Sequence, residues 1–149
     1  MATIHLPRDF KEFLKLLNRN KVEYLLVGGY AVGYYGYPRA TADMDIWVAI
    51  NQKNAGRIIS VLKEFGFDVP DLSEDICLKE KQVIRMGQPP VRIELLTTLS
   101  GVGFDECFKE RTQAVIEGIK VNIISLKHLK VNKAAAGRYS DKADLEKLP

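Results

Sequence analysis

Three acidic residues and a pair of glycines carry the chemistry this sequence offers. Asp43 and Asp45 lie at i and i+2 in DMDIWV, a short run of β character. In an extended strand both of their side chains leave one face, while Met44 and Ile46 leave the other. At about 3.3 Å of rise per residue the two Cα atoms are roughly 6–7 Å apart, close enough for both carboxylates to converge on metal ions about 3.5–4 Å from each other. Carboxylates held so near repel by as much as about 4 kcal/mol per pair at a near-surface dielectric, so the arrangement calls for a cation. Oxygen ligands suit a hard divalent ion, magnesium above all, with manganese as a substitute.

Glu94, in VRIELLT, sits mid-strand among apolar residues on a face shared with Arg92 and Leu96. An unpaired carboxylate there would be costly. A shared metal explains it, and so does an ion pair with Arg92 or another cation. Upstream, Val27-Gly28-Gly29 stands between a strand-like run and a helix-like one. Glycines at such a turn let a polyphosphate approach the backbone, and helix N-terminal amides attract anions. Arg39, four residues before Asp43 in a loop, reads equally as a phosphate clamp and as a solvated cation.

The elements that must position these groups follow from pattern. Pro7, Phe10, Phe13, Leu14 and Leu17 give an opening helix. Tyr24 to Val27 reads as a buried strand running into the glycine turn and a second helix, which should end before Pro38. A loop from Tyr37 to Ala42 leads to a strand over Met44 to Ala49. Asn51 to Phe65 returns to helical spacing and closes at Gly66. Lys81 to Thr97 reads as a hairpin around the turn GQPP, and QAVIEGIKVNIIS repeats the form around Gly118. Ser125 and Ser140 are the candidate N-caps of two C-terminal helices. The class is α/β or α+β with a mixed sheet.

The 149 residues suit a single domain over 1–149, with a core over about 22–124 and C-terminal helices over about 125–148. Twenty-two Lys and Arg against 19 Asp and Glu leave a net charge of +3, too mild to argue by itself for a nucleic-acid partner. Cys77 and Cys107 have neither metal-ligand spacing nor disulfide density and read as packing thiols in a reducing compartment. No signal pattern opens the chain and no apolar run approaches the roughly 20 residues that span a bilayer, so a cytoplasmic location without membrane contact is expected.

The segment VGGYAVGYYGYPRATADMDIWV resembles the signature of the DNA polymerase β-like nucleotidyltransferase superfamily. That signature is a hydrophobic residue before Gly-Gly or Gly-Ser, about a dozen residues, an acidic-hydrophobic-acidic-hydrophobic run, and a third acidic residue on a later strand. Val27, Gly28, Gly29, Asp43, Met44, Asp45, Ile46 and Glu94 match it. The wording is similar to a small bacterial group of minimal nucleotidyltransferases, abortive-infection toxins and antibiotic-modifying adenylyltransferases. The resemblance implies a nucleotidyltransferase fold, a mixed sheet flanked by helices. It also implies transfer of a nucleoside monophosphate from a nucleoside triphosphate, such as ATP, to an acceptor hydroxyl. Asp43, Asp45 and Glu94 would be the catalytic and metal-binding residues, with two magnesium ions, and Gly28, Gly29, Arg39 and Lys133 would bind the nucleotide.

The C-terminal VNKAAAGRYSDKADLEKL resembles the family's K…R..D..DL pattern, which implies Lys133 at the nucleotide phosphates and Asp141 bracing it or Arg138. The chain is shorter than the toxin and antibiotic-modifying relatives, which implies a homodimer or a partner protein completing the acceptor site. The GSxARG wording of the antitoxin-like group is absent, since YAVGYYG follows Gly29. The acceptor, whether protein, tRNA or small molecule, is not written in these residues.

Other features have plainer readings. Tyr30 and Tyr34, at i and i+4, are expected to pack, while Trp47, on the Asp45 face, either packs or stacks on a base. His5 and His128 fit no nucleophile pattern and read as structural or surface residues. Lys127, His128, Lys130 and Lys133 read as a solvated helix face, or a tRNA contact. Two functions compete with the transferase. One is a nucleotide-binding or toxin-antitoxin interaction module without turnover. The other is a metal-dependent nuclease, against which the Gly-Gly turn argues.

Overall fold

Burial of regularly spaced apolar residues decides the helices. The computed structural model describes residues 4–36 and 41–149. In α1 (Arg8–Arg19) Phe10, Phe13, Leu14 and Leu17 recur every three or four residues, and all four are fully buried. Each such side chain withdrawn from water is worth about 1.5–3 kcal/mol. Burial of that stripe therefore holds a helix that would be marginal alone. α1 packs against α3 (Gln52–Phe65), where the rings of Phe13 and Phe65 meet edge-on at 5.1 Å.

Between them lie β1 (Tyr24–Val27), α2 (Gly28–Tyr35) and β2 (Asp43–Val48). After α3 come a 3-10 turn (Glu74–Leu78), the hairpin β3 (Val83–Gln88) and β4 (Val91–Leu96), and α4 (Phe104–Lys109). A second hairpin, β5 (Thr112–Ile116) and β6 (Ile119–Ile123), precedes α5 (Leu126–Ala136) and α6 (Tyr139–Lys147). The strands form one mixed sheet in the order β3-β4-β2-β1-β6-β5. β2 pairs in parallel with β4 and β1 with β6; the other neighbours are antiparallel. Both hairpins expected from the sequence are present, and so is the α3 crossover.

Asn54 locks the ends of the central strands together. Its side chain accepts from the Glu23 amide at 2.8 Å and donates to the Ala49 and Glu23 carbonyls at 2.9 and 3.1 Å. It thereby ties the start of β1, the end of β2 and the first turn of α3, and helps hold Val27 opposite Asp45. Asn51 caps that helix by accepting from the Asn54 amide, and Gly66 ends it in the left-handed conformation, φ 97°.

Three elements differ from the sequence reading. α4 and the 3-10 turn were not anticipated, because runs of six and five residues are too short to display a helical period. Ser125 does cap α5, accepting from the His128 amide, but Ser140 does not cap α6. That helix begins at Tyr139 with Arg138 as its cap residue. The Asp141 carboxylate reaches back to the Arg138 amide at 3.1 Å. The carboxylate of the third helical residue thus accepts from the cap residue's own amide, where a serine cap would have accepted from the amides of the first turn. Among the described residues no helix is long and apolar enough to cross a membrane.

Candidate active site

The alternation expected of β2 is observed. Met44 and Ile46 are fully buried, whereas Asp43 and Asp45 are half-buried and open on the other face. Because β4 lies beside β2 in register, Asp45 stands opposite Glu94 and Asp43 opposite Arg92. Cross-strand partners project from the same face, on strands about 4.7–4.9 Å apart. The next strand places Arg85 opposite Glu94. One rung therefore reads Asp45-Glu94-Arg85, and the rung beside it begins Asp43-Arg92.

The arginines already take part of the negative charge. Arg92 grips Asp43 with two parallel hydrogen bonds, Nε to Oδ1 and Nη2 to Oδ2, both 2.9 Å, and these hold its guanidinium above the usual arginine range. Nη2 of Arg92 also lies 3.3 Å from Glu94 Oε1, the same oxygen that accepts from Arg85 Nε at 3.3 Å. Among the described residues Asp45 has no such clamp. Burial, followed by the charges of Glu94 and Asp43, pushes its carboxyl up to about 6, although Lys133 and Arg138 across the cleft pull the other way.

The glycine turn closes over this carboxylate. Gly28 has φ +67°, and a Cβ built on it would lie 2.2 Å from Asp45 Oδ2. Only glycine accommodates both the conformation and the approach. α2 begins at Gly28 with no side-chain cap and no acidic residue in its first turn, which leaves N-terminal amides for an anion. Gly28, Gly29, Asp43, Asp45, Glu94 and Lys133 share one cavity of about 520 Å³.

α5 and α6 supply the opposite wall. The Lys133 ammonium is 3.1 Å from Asp141 Oδ1 and 3.1 Å from Asp144 Oδ2, with 7% of the lysine side chain and 1% and 3% of the aspartates exposed. Asp141 also accepts from Arg138 Nε at 2.7 Å, so it braces both cations. Burial pushes the Asp141 carboxyl up, but hydrogen bonds from Arg138 and Lys133 outweigh it and bring the group to about 2. Two of the three ammonium donors are thus committed among the described residues, and Lys133 also lines the cavity.

The remaining sequence candidates fall elsewhere. Arg39 lies outside the described residues. Tyr30 is buried edge-on to Phe10, and Tyr34 packs on Tyr35. Trp47, though on the Asp45 face, is buried against Phe104 at 5.1 Å, and its indole N–H has no hydrogen-bond partner among the described residues. His5 is exposed beside Glu117, and both cysteines are buried and free. The stretch from Lys127 to Lys133 is not one solvated face. Lys127 is exposed, but His128 and Lys133 turn inward, because packing of α5 overrides the charge pattern.

Sequence reasoning missed Thr98, Ser100, Asn132 and Ser140, which also line the cavity. Asn132 donates to the Ser100 carbonyl at 3.0 Å and so joins α5 to the loop after β4. The run of hydroxyl residues Thr97, Thr98 and Ser100 just past the Glu94 strand was the available signal.

The family described as nucleotidyl transferase of unknown function (DUF2204) matches residues 7–149. Among curated proteins none matches the sequence. Among solved structures, the chain is similar to a candidate nucleotidyltransferase (TM1012) of Thermotoga maritima, with TM-score 0.62 and 19% identity over 96% of this chain and 94% of that one. It is also similar to an antigenic nucleotidyltransferase-like protein of Paracoccidioides brasiliensis, with TM-score 0.55 and 17% identity over 92% and 70% of the two chains. A third similar structure is ANT(2")-Ia in complex with adenylyl-2"-tobramycin, with TM-score 0.51 and 14% identity over 94% and 79%. At these identities the likeness establishes the fold alone, a nucleotidyltransferase fold.

Proposed function

The chain belongs to the nucleotidyl transferase family that matches it over residues 7–149, and from that premise we propose that it transfers a nucleoside monophosphate from a nucleoside triphosphate to an acceptor hydroxyl. The observation that carries the reading is the Asp45-Glu94 rung facing the Gly28 turn across one cavity.

The donor set fits a divalent ion. Asp43, Asp45 and Glu94 offer only hard oxygens, and the raised Asp45 carboxyl marks a place where a cation would relieve repulsion. Asp43 and Asp45 would hold one magnesium ion and Glu94 would share a second, with Asp43 loosened from Arg92. Bound there, magnesium supplies charge neutralisation on the triphosphate and polarisation of the attacking hydroxyl.

The chain's own groups do the rest. The Gly28-Gly29 turn and the uncapped start of α2 receive phosphate oxygens, and the ammonium of Lys133 and the exposed guanidinium of Arg138 add positive charge. Both arginine contacts to Glu94 fall on Oε1, which leaves Oε2 to take the acceptor's proton. The acceptor oxygen then bonds to the α-phosphorus as the bond to the bridging oxygen breaks, and pyrophosphate leaves with that electron pair. The acceptor is a protein, a tRNA or a small molecule, held with the help of a second copy or a partner protein. Residues 1–149 act as one domain, and the free buried thiols fit a cytoplasmic location.

A second reading has its own support. The Arg92-Asp43 clamp and the Arg85-Glu94 contact balance the carboxylates without a metal, as a nucleotide-binding or toxin-antitoxin module without turnover would need. Incubation with α-labelled nucleotides, magnesium and cell extract separates the two. Transfer of label to protein, RNA or a small molecule by the native chain and not by Asp45→Asn supports the transferase. Nucleotide binding with no transfer favours the module.

A further inference from the structure

A second group of potential ligands lies outside the nucleotide cavity. Glu106 and Glu110 stand one helical turn apart, in α4 and at its C-terminal cap, and His128 stands in the first turn of α5. One ligand atom from each lies within 4.8 Å of the other two. His128 Nε2 is 3.7 Å from Glu110 Oε2 and 3.9 Å from Glu106 Oε1, too long for hydrogen bonds.

The histidine is what makes this more than a pair of surface acids. His128 is only 5% exposed, and its Nε2 is buried with no hydrogen-bond partner among the described residues. Buried polar atoms are ordinarily satisfied. Its other nitrogen, Nδ1, lies 3.0 Å from Ser125 Oγ, the same oxygen that accepts the His128 amide at 3.2 Å to cap the helix. With Nδ1–H donating to Ser125, the Nε2 lone pair faces two carboxylates. Three electron-pair donors then converge with no proton between them. A metal-bound histidine characteristically gives its second N–H to such an oxygen, which fixes the ring and its tautomer.

The geometry points to a second metal site, formed by Glu106, Glu110 and His128 and suited to zinc. One imidazole and two carboxylates provide three of the four positions of a tetrahedral ion, and the fourth is left to water. The imidazole distinguishes the site from the all-oxygen donor set of Asp43, Asp45 and Glu94, which suits a harder ion. The glutamate side chains are 73% and 50% exposed, so they are free to swing in from their present separation to bonds of about 2.0–2.2 Å. The ion would staple α4 to α5, and α5 carries Asn132 and Lys133 on the wall of the nucleotide cavity. The site stands or falls independently of the proposed transfer.

The test titrates the chelator-stripped chain with zinc alone, against a chromophoric chelator, for the native chain and for Asp45→Asn. Both should bind one zinc ion per chain and melt at a higher temperature when it is bound. Cobalt in place of zinc should show the strong visible absorption of a low-coordinate ion. Affinity should fall by roughly tenfold or more in His128→Gln and in the surface double variant E106Q/E110Q, whose circular dichroism should match the native chain. No zinc binding by the native chain would overturn the site. Binding lost in Asp45→Asn but kept in E106Q/E110Q would overturn it as well, by assigning the ion to the nucleotide cavity.

Discussion

Gly28 approaches Asp45 so closely that a single added carbon would fall 2.2 Å from the carboxylate oxygen Oδ2. The turn and the acidic strand therefore form one unit, and glycine is required both by the contact and by φ +67°. Gly28→Ala should fold but lose on the order of 1–3 kcal/mol, from left-handed strain and displacement of the carboxylate. Urea denaturation reads that loss, and nucleotide binding should fall with it. A variant of native stability and binding would show that the turn tolerates a side chain.

Asp45 makes stability depend on pH. Its carboxyl is raised from 3.8 to about 6 in the folded chain, so the folded state holds this proton more tightly than the unfolded one. Stability from this group is present at low pH and lost as pH rises through about 6. Asp45→Asn removes the ionisation, so without divalent ions its advantage over the native chain should grow between pH 4 and pH 8 to at most roughly 3 kcal/mol. Magnesium should narrow the gap by stabilising only the native chain. Parallel pH dependences of the two melting temperatures would contradict the assignment.

Arg92 competes with cations for Asp43. Replacing it by glutamine should lower the melting temperature in the absence of magnesium, because three carboxylates then face one another with less positive charge. The rise on adding magnesium should exceed that of the native chain. Thermal scans with and without the ion measure both effects, and an unchanged magnesium response would mean that Asp43 binds no metal.

Lys133 neutralises two almost fully buried carboxylates. Lys133→Met removes the ammonium the two carboxylates share and should cost on the order of 3–5 kcal/mol in urea unfolding. Arg138→Met, at a side chain that is 74% exposed, should cost less than about 1 kcal/mol. Similar losses in the two variants would contradict the picture of a buried bridge beside a solvated one.

What the sequence disclosed and what it withheld have physical causes. The alternation of Asp43 and Asp45 with Met44 and Ile46 is a local property of an extended chain, and it was legible because the backbone alone sets its period. Both hairpins were legible because the GQPP run and Gly118 mark their turns, the first of which falls at Pro89-Pro90. The meeting of Asp45 with Glu94 was expected only through the family resemblance and not from local pattern, since it depends on β4 and not β3 settling beside β2, which is decided by the packing of the whole sheet. The Arg92 clamp follows from that register and was hidden for the same reason. α4 was too short for a period, and His128 looked like part of a charged face until α5 was seen to turn it inward.

The central claim is that Asp45 and Glu94, beside the Gly28 turn, bind a nucleoside triphosphate through a divalent ion. Isothermal titration of the native chain and of Asp45→Asn with a non-transferable ATP analogue, each with and without magnesium, tests it most directly. The account predicts saturable binding by the native chain that requires magnesium and disappears in a folded Asp45→Asn. Equal binding by both proteins, or binding indifferent to magnesium, would contradict it.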